Sequence, residues 1–404
     1  MTRGLPRRSA ASAADHGAGS LGWWAGTAAA AALLVTLAAC TPSPPAHSGA
    51  VSDDGRALFP DLAQFSGLDD TPMEGASSEF WEWWGDGQAE LSGYRMVVGR
   101  YGAPREAELA LIYVTEPHDR RTWIKDDHVE EPHRVNVMKL NQNVAFLTGI
   151  YPYAVMTSVF APVDRYRTEP FSPVRIVHSV QEWCGAYSHL VWPGPDRYRS
   201  LRLSYFAHEG ERIREVEADG PLLYEDALLV QLRELDGPFA GGGDWEGMLV
   251  PELWRLRAGH RGTDPVPARI TREETTRTVE GLGGAGRPEP GAGEGESGAG
   301  EGESGAGAGE SGAEESGAEV PVTRFTLQAG DYERVFEVER DPPRRILGWS
   351  TSTGEEAELL ATERLAYWEL NRPGDESWRE TLGLSPRGVL PPGAGDAPAG
   401  GCPQ

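Results

Sequence analysis

Tyr198-Arg199-Ser200-Leu201-Arg202-Leu203-Ser204-Tyr205-Phe206 alternates apolar and polar side chains at every second residue. Leu201, Leu203 and Tyr205 fall on one face, Arg202 and Ser204 on the other. This is the pattern of a half-buried antiparallel strand. Leu109–Thr115 is a short apolar run rich in β-formers, and the same rhythm recurs at Glu90–Val98, Arg134–Leu140 and Val174–Val180. Beyond residue 320 it returns as Val322–Gln328, Glu333–Glu339, Arg344–Thr351, Glu356–Thr362 and Arg364–Leu370. Turns at Ala329-Gly330-Asp331, Asp341-Pro342-Pro343 and Thr353-Gly354 separate these segments.

One stretch breaks the rhythm. Leu222–Leu235 places Leu222, Leu223, Ala227, Leu228, Leu232 and Leu235 at three-to-four spacing, with Glu225, Asp226, Gln231 and Arg233 between them. It reads as one amphipathic helix, its acids near the start and Arg233 near the end suiting the dipole. The expected fold is therefore mainly β: a curved antiparallel sheet or open barrel wrapping that helix, with a C-terminal β meander.

The segments flanking this body are of another kind. Residues 1–39 carry Arg3, Arg7 and Arg8, then an apolar run from Trp23 that ends in Leu37-Ala38-Ala39-Cys40. This is an export-signal layout. Leu-Ala-Ala-Cys resembles the lipobox of bacterial lipoproteins, which implies acylation of Cys40 and cleavage before it. Residues 40–57 read as a flexible tether, 58–282 as the β-rich body, and 283–319 as a disordered insertion. In that insertion Gly-Ala-Gly-Glu-Gly-Glu-Ser occurs at 291–297 and again at 298–304. Residues 320–384 hold the meander, and 385–404 read as a disordered tail. No second apolar run is long enough to span a bilayer. The expected location is the cell envelope, held to a membrane through Cys40. Thr41 directs it to the outer membrane, facing the periplasm, if the host is Gram-negative.

The formal charge is −25, and removing residues 1–39 leaves −27. Such a surface excludes nucleic acid as a partner. No metal and no cofactor is implied: His118, His128 and His133 match no zinc spacing, and Pro117 and Pro132 mark loops. There is neither a phosphate-cradling Gly-rich loop nor a nucleophile elbow.

Three groups carry candidate chemistry. Trp81, Trp83 and Trp84 lie in Phe80-Trp81-Glu82-Trp83-Trp84. On a strand Trp81 and Trp83 share a face, either as core or as an aromatic wall for a ligand. Tyr151 and Tyr153 flank Pro152, which stiffens an extended or turn segment that packs or lines a groove. Gln181-Glu182-Trp183-Cys184-Gly185 brings a thiol, a carboxylate and Trp183 close to His189. A Cys184 nucleophile with His189, or a remote His178 or His208, as base and Glu182 as orienter is one reading, and a buried cysteine beside a packed Trp is the other.

Ser92-Gly93-Tyr94, Arg100-Tyr101-Gly102, Tyr113-Val114-Thr115-Glu116-Pro117, Lys139-Leu140-Asn141, Thr148–Tyr153, Gln181–Gly185, and Ser204-Tyr205-Phe206 before Glu209-Gly210 come in this order. Together they resemble a family of uncharacterised bacterial envelope lipoproteins, some of whose members are labelled septum formation inhibitor Maf. The resemblance implies a β-rich fold and an envelope location, and it brings no established activity. The residues favour a non-enzymatic lipoprotein that binds a hydrophobic or glycan ligand or an envelope partner. A Cys-dependent hydrolase or acyl-transfer enzyme, or a structural assembly factor, are the alternatives.

Overall fold

Alternation every second residue puts one face of each segment in the core, and antiparallel neighbours satisfy the backbone between them. The computed structural model describes residues 75–164, 171–194, 197–206, 209–210, 212–279, 318–386 and 388. These belong to one compact unit, Phe59–Gln404. Cys40, His208, the expected signal 1–39 and the expected tether 40–57 lie outside the described residues, as do most of the expected 283–319 insertion and 385–404 tail.

Among the described residues sixteen strands form one sheet. They are β1 (Ala89–Arg100), β2 (Ala103–Asp119), β3 (Ile124–Lys125), β4 (Arg134–Thr148), β5 (Tyr151–Pro162), β6 (Arg175–Glu182), β7 (Gly185–Pro193) and β8 (Arg197–Ser204). There follow β9 (Arg212–Glu217), β10 (Leu222–Tyr224), β11 (Trp245–Val250), β12 (Val266–Val279), β13 (Ala318–Ala329), β14 (Tyr332–Glu339), β15 (Ile346–Thr351) and β16 (Glu356–Leu365). Short helices are α1 (Ser78–Trp84), α2 (Leu228–Gln231) and α3 (Leu253–Ala258).

The sheet runs β10-β11-β12-β13-β14-β15-β16-β1-β2-β4-β5-β6-β7-β8-β9, with β3 paired to β2. Almost every pair is antiparallel and joins chain neighbours. Two pairs differ. Ala89 meets Leu365 where β1 joins β16, which ties the C-terminal meander into the same sheet. β10 and β11 are parallel, so the chain between them must cross over rather than turn. Residues 280–317, by contrast, only connect Val279 to Ala318, which are paired opposite each other.

The structure corrects the expected 222–235 helix. Leu222–Tyr224 is strand β10, Glu225–Ala227 is a 3-10 turn, and only Leu228–Gln231 is α-helical. Nor is the segment amphipathic in its burial, since every residue from Leu223 to Arg233 is buried. The reason is the crossover, which carries the segment inward, where Glu225 and Arg233 find partners on several strands. The Tyr113 hydroxyl of β2 donates to the Leu229 carbonyl at 2.8 Å. The Tyr332 hydroxyl of β14 donates to Glu225 at 2.8 Å, and Tyr224 meets Tyr198 of β8 edge-on.

Two ion clusters hold this segment. Arg233 donates to Glu90 at 2.6 Å and to the Arg344 and Pro343 carbonyls, and its guanidinium lies 4.5 Å from the Tyr113 ring centroid. Arg334 donates to Glu225 at 3.3 Å and to Glu252 at 3.0 Å. The amides of Glu252 and Leu253, which open α3, donate to Glu225 and Asp226. Burial, with its acidic neighbours, pushes Glu252 up to about 8 and Asp226 up to about 7. Glu225 is held below the usual range: burial opposes this, but Arg255 and Arg334 outweigh it.

Three smaller expectations also change. In β8 the buried side chains are Tyr198 and Ser200, while Leu203 is exposed; Tyr198 joins the core on the face opposite to the expected Leu201–Leu203 face. The segments 356–362 and 364–370 are one strand, β16, followed by a 3-10 turn at Tyr367–Glu369. Pro117 lies within β2, opposite Asn136, rather than in a loop.

Candidate functional site

Three hairpin tips meet at one end of the sheet. Tyr101 caps the β1–β2 turn, Ile150 the β4–β5 turn, and Trp183 the β6–β7 turn. They are 58%, 79% and 68% exposed. Large apolar side chains on adjacent tips form a patch that packing does not explain. Tyr151 stacks against Trp183, their ring centroids 6.0 Å apart and planes 28° from parallel. The Tyr151 hydroxyl donates to the Tyr101 oxygen at 3.4 Å. We refer to this group as the aromatic ledge.

Beneath the ledge the rings become core. Tyr153 is buried and stacks on Phe146 at 4.9 Å, and both meet Trp254 of α3 edge-on. Arg100 fixes the junction. It lies 4.2 Å from the Tyr101 ring centroid and donates to the Tyr153 hydroxyl at 3.2 Å and the Ala258 carbonyl at 3.2 Å. Burial lowers its pKa, but the bonds to Tyr153 outweigh this and raise it. The ledge therefore stands on a rigid base.

Glu182 flanks Trp183. It accepts from the Cys184 amide at 2.7 Å and from the Tyr205 hydroxyl at 3.0 Å. Partial burial acts to raise its pKa, but these bonds prevail and lower it. Gly185 is needed beside it: its φ is +154°, and a Cβ there would sit 2.8 Å from the Tyr205 ring.

The structure does not assemble the Cys184 constellation as a nucleophile site. Cys184 is exposed rather than buried. Glu182 accepts from its thiol and raises its pKa, opposite to the depression an activated thiol requires. His189 is buried and sits against the Tyr187 hydroxyl, 3.3 Å from Nδ1. Burial lowers its pKa to about 3.

The tryptophan cluster is a helix, not a strand. Ser77 caps α1 by accepting from the Phe80 amide, and the helical turn sends Trp81, Trp83 and Trp84 different ways. Trp84 is buried on Phe80 and Tyr113. Trp81 meets Phe80 edge-on. Trp83 carries the Arg364 guanidinium over its ring at 4.8 Å. Trp83 and Trp84 line a cleft of about 590 Å³ with Phe80, Leu235, Pro342 and Pro343. This cleft is at the far end of β2 from the ledge: the Thr115 hydroxyl donates to the Trp84 carbonyl, whereas the ledge stands by Ala103. The two aromatic groups therefore form separate places.

Tyr101, Arg100 and Trp254 escaped the sequence reading. Arg100-Tyr101-Gly102 is a visible turn signal, but nothing local shows that three tips converge.

No family model matches the chain, and no curated protein matches it. Among solved structures, a crystal structure described as a β-barrel-like protein of domain of unknown function DUF1849, from Brucella abortus, covers 68% of this chain and 97% of its own. The identity is 7% and the TM-score 0.36.

Proposed function

We propose that this protein is a non-enzymatic, lipid-anchored envelope protein that binds a saccharide on the aromatic ledge. In this reading Cys40 holds the chain to a membrane and the sheet curls, as an open barrel, around Leu228–Gln231. The observation that carries the proposal is the stacked Tyr151–Trp183 pair, Trp183 exposed and Tyr151 half-buried, beside a fixed carboxylate. Flat rings accept the C–H faces of a sugar, while Glu182 and the Tyr101 hydroxyl supply directional partners. Rigid Tyr and Trp side chains give contact area at low entropic cost. The thiol chemistry of Cys184 counts against the enzyme alternative.

Titrating the mature chain with cell-wall oligosaccharides, read by tryptophan fluorescence, tests this. Binding should weaken about tenfold in Trp183→Ala, and Cys184→Ala should bind as the parent does. Failure of every oligosaccharide to bind, or indifference to Trp183→Ala, would refute the ledge as the site.

A further inference from the structure

The cleft beside α1 has three walls, and the chain ties them together. The Ser77 amide, just before α1, donates to Asp236 at 3.1 Å. Arg344 donates to the Glu234 carbonyl at 2.7 Å, and Arg233 to the Pro343 carbonyl at 2.7 Å. Helix α1, the 234–237 loop and the 342–344 turn are thus fixed to one another. The space between them, about 590 Å³, is preformed and of the size that encloses a small organic ligand.

The walls are aromatic and acidic at once. Arg364 holds two of the rings in place, its guanidinium 4.8 Å from the Trp83 centroid and 5.2 Å from that of Trp84. Its own charge is met by Asp86 at 2.6 Å. Four acids, Glu79, Glu82, Glu234 and Asp236, line the cleft against one cation, Arg344. Glu234 is met by Arg272 at 2.8 Å and by Arg344 at 4.0 Å. Glu79, Glu82 and Asp236 have no cationic partner among the described residues. Carboxylates set on an apolar wall concentrate their field in the cleft beside it. The adjoining chain has the same sign: residues 57–94 hold eight Asp or Glu and no Lys, Arg or His. That segment would add negative charge to the cleft, so the complement has to come from another molecule.

We propose that this cleft is a second binding site, which takes an organic ammonium. The apolar body of the ligand packs on Phe80, Trp83 and Leu235, and its positive nitrogen faces Glu79, Glu82 and Asp236. Ring faces and carboxylates attract the same cation, and the preformed walls spare it the cost of ordering them. The site is independent of the ledge and of the saccharide reading.

Calorimetric titration of the mature chain with benzyltrimethylammonium tests this. Benzyl alcohol keeps the ring without the charge, and tetramethylammonium keeps the charge without the ring; each should bind at least about tenfold more weakly. The Glu79→Gln, Glu82→Gln double variant, altered at two exposed positions, should lose about tenfold in affinity for benzyltrimethylammonium while its circular dichroism stays that of the parent. Trp183→Ala should bind it unchanged. The site is overturned if benzyltrimethylammonium does not bind, if benzyl alcohol binds as tightly, or if the double variant binds as the parent does. A loss in Trp183→Ala would move the cation to the ledge and overturn the cleft. Binding that emerges only after Phe59→Ser and Phe65→Ser would show the cleft filled by the chain's own residues 59–74, which also overturns it.

Discussion

Arg233 and Glu90 show how much one buried pair controls. Both are almost fully enclosed, 2.6 Å apart, and the cation also holds two carbonyls of the 343–344 turn. Removing one member strands the other charge away from water, at a cost of about 3–5 kcal/mol. Arg233→Met should lower the denaturant-derived stability by that amount, and the Glu90→Gln, Arg233→Met double variant should recover part of it. Equal losses in single and double variants would show that packing, not charge, dominates. Gly93 is a second such position. A Cβ there would meet the Leu382 carbonyl at 2.0 Å, so Gly93→Ala should dislodge the Asp375–Leu382 turn, seen as faster proteolysis of the C-terminal segment. Neither pairing was legible beforehand. Arg233 looked like a solvated helix end because the spacing of its neighbours says nothing about which faces are enclosed.

The inner crossover is the element most sensitive to pH. Unfolded carboxyls titrate near pH 4, while folded Asp226 holds its proton to about 7 and Glu252 to about 8. The folded state thus binds more protons across that interval, so this contribution is fully present below pH 4 and is lost as pH rises towards 8. The slope is at most about 1.4 kcal/mol per pH unit for each group. Unfolding midpoints should fall between pH 5 and pH 8, and Glu252→Gln should flatten the curve; a rising midpoint would contradict the assignment. The β12–β13 connection behaves oppositely. Replacing residues 280–317 by a short turn leaves Val279 opposite Ala318, and loop-closure entropy changes stability by only about 1–2 kcal/mol. Strand periodicity was legible because it repeats locally. The helix reading failed because three-to-four spacing of leucines fits a crossover buried on every side as well as an amphipathic helix.

At the scale of the whole molecule the strand periodicity already indicated a mainly β protein, and sixteen strands of the described residues form one sheet. Hidden was the way distant turns gather: Tyr101, Tyr151 and Trp183 become one surface only after β1, β2 and β4–β7 have paired in register. Local pattern carries no information about which tips share an end. The attachment reading is likewise a property of the full chain. Cys40→Ser should shift the protein from the detergent-rich to the aqueous phase on detergent partitioning, and an unchanged distribution would remove the lipid anchor.

The pairing of β1 with β16 has a further consequence. The partners among β1 to β9 lie close by in the chain, so these strands can zip together as they emerge. The free side of β1 then waits, unpaired, until the last strand of the sheet has been delivered. An open strand edge of that length invites mispairing with other chains. A chain made from its N-terminus therefore has a long vulnerable interval, and its tendency to aggregate should rise with the time needed to produce residues 101–355.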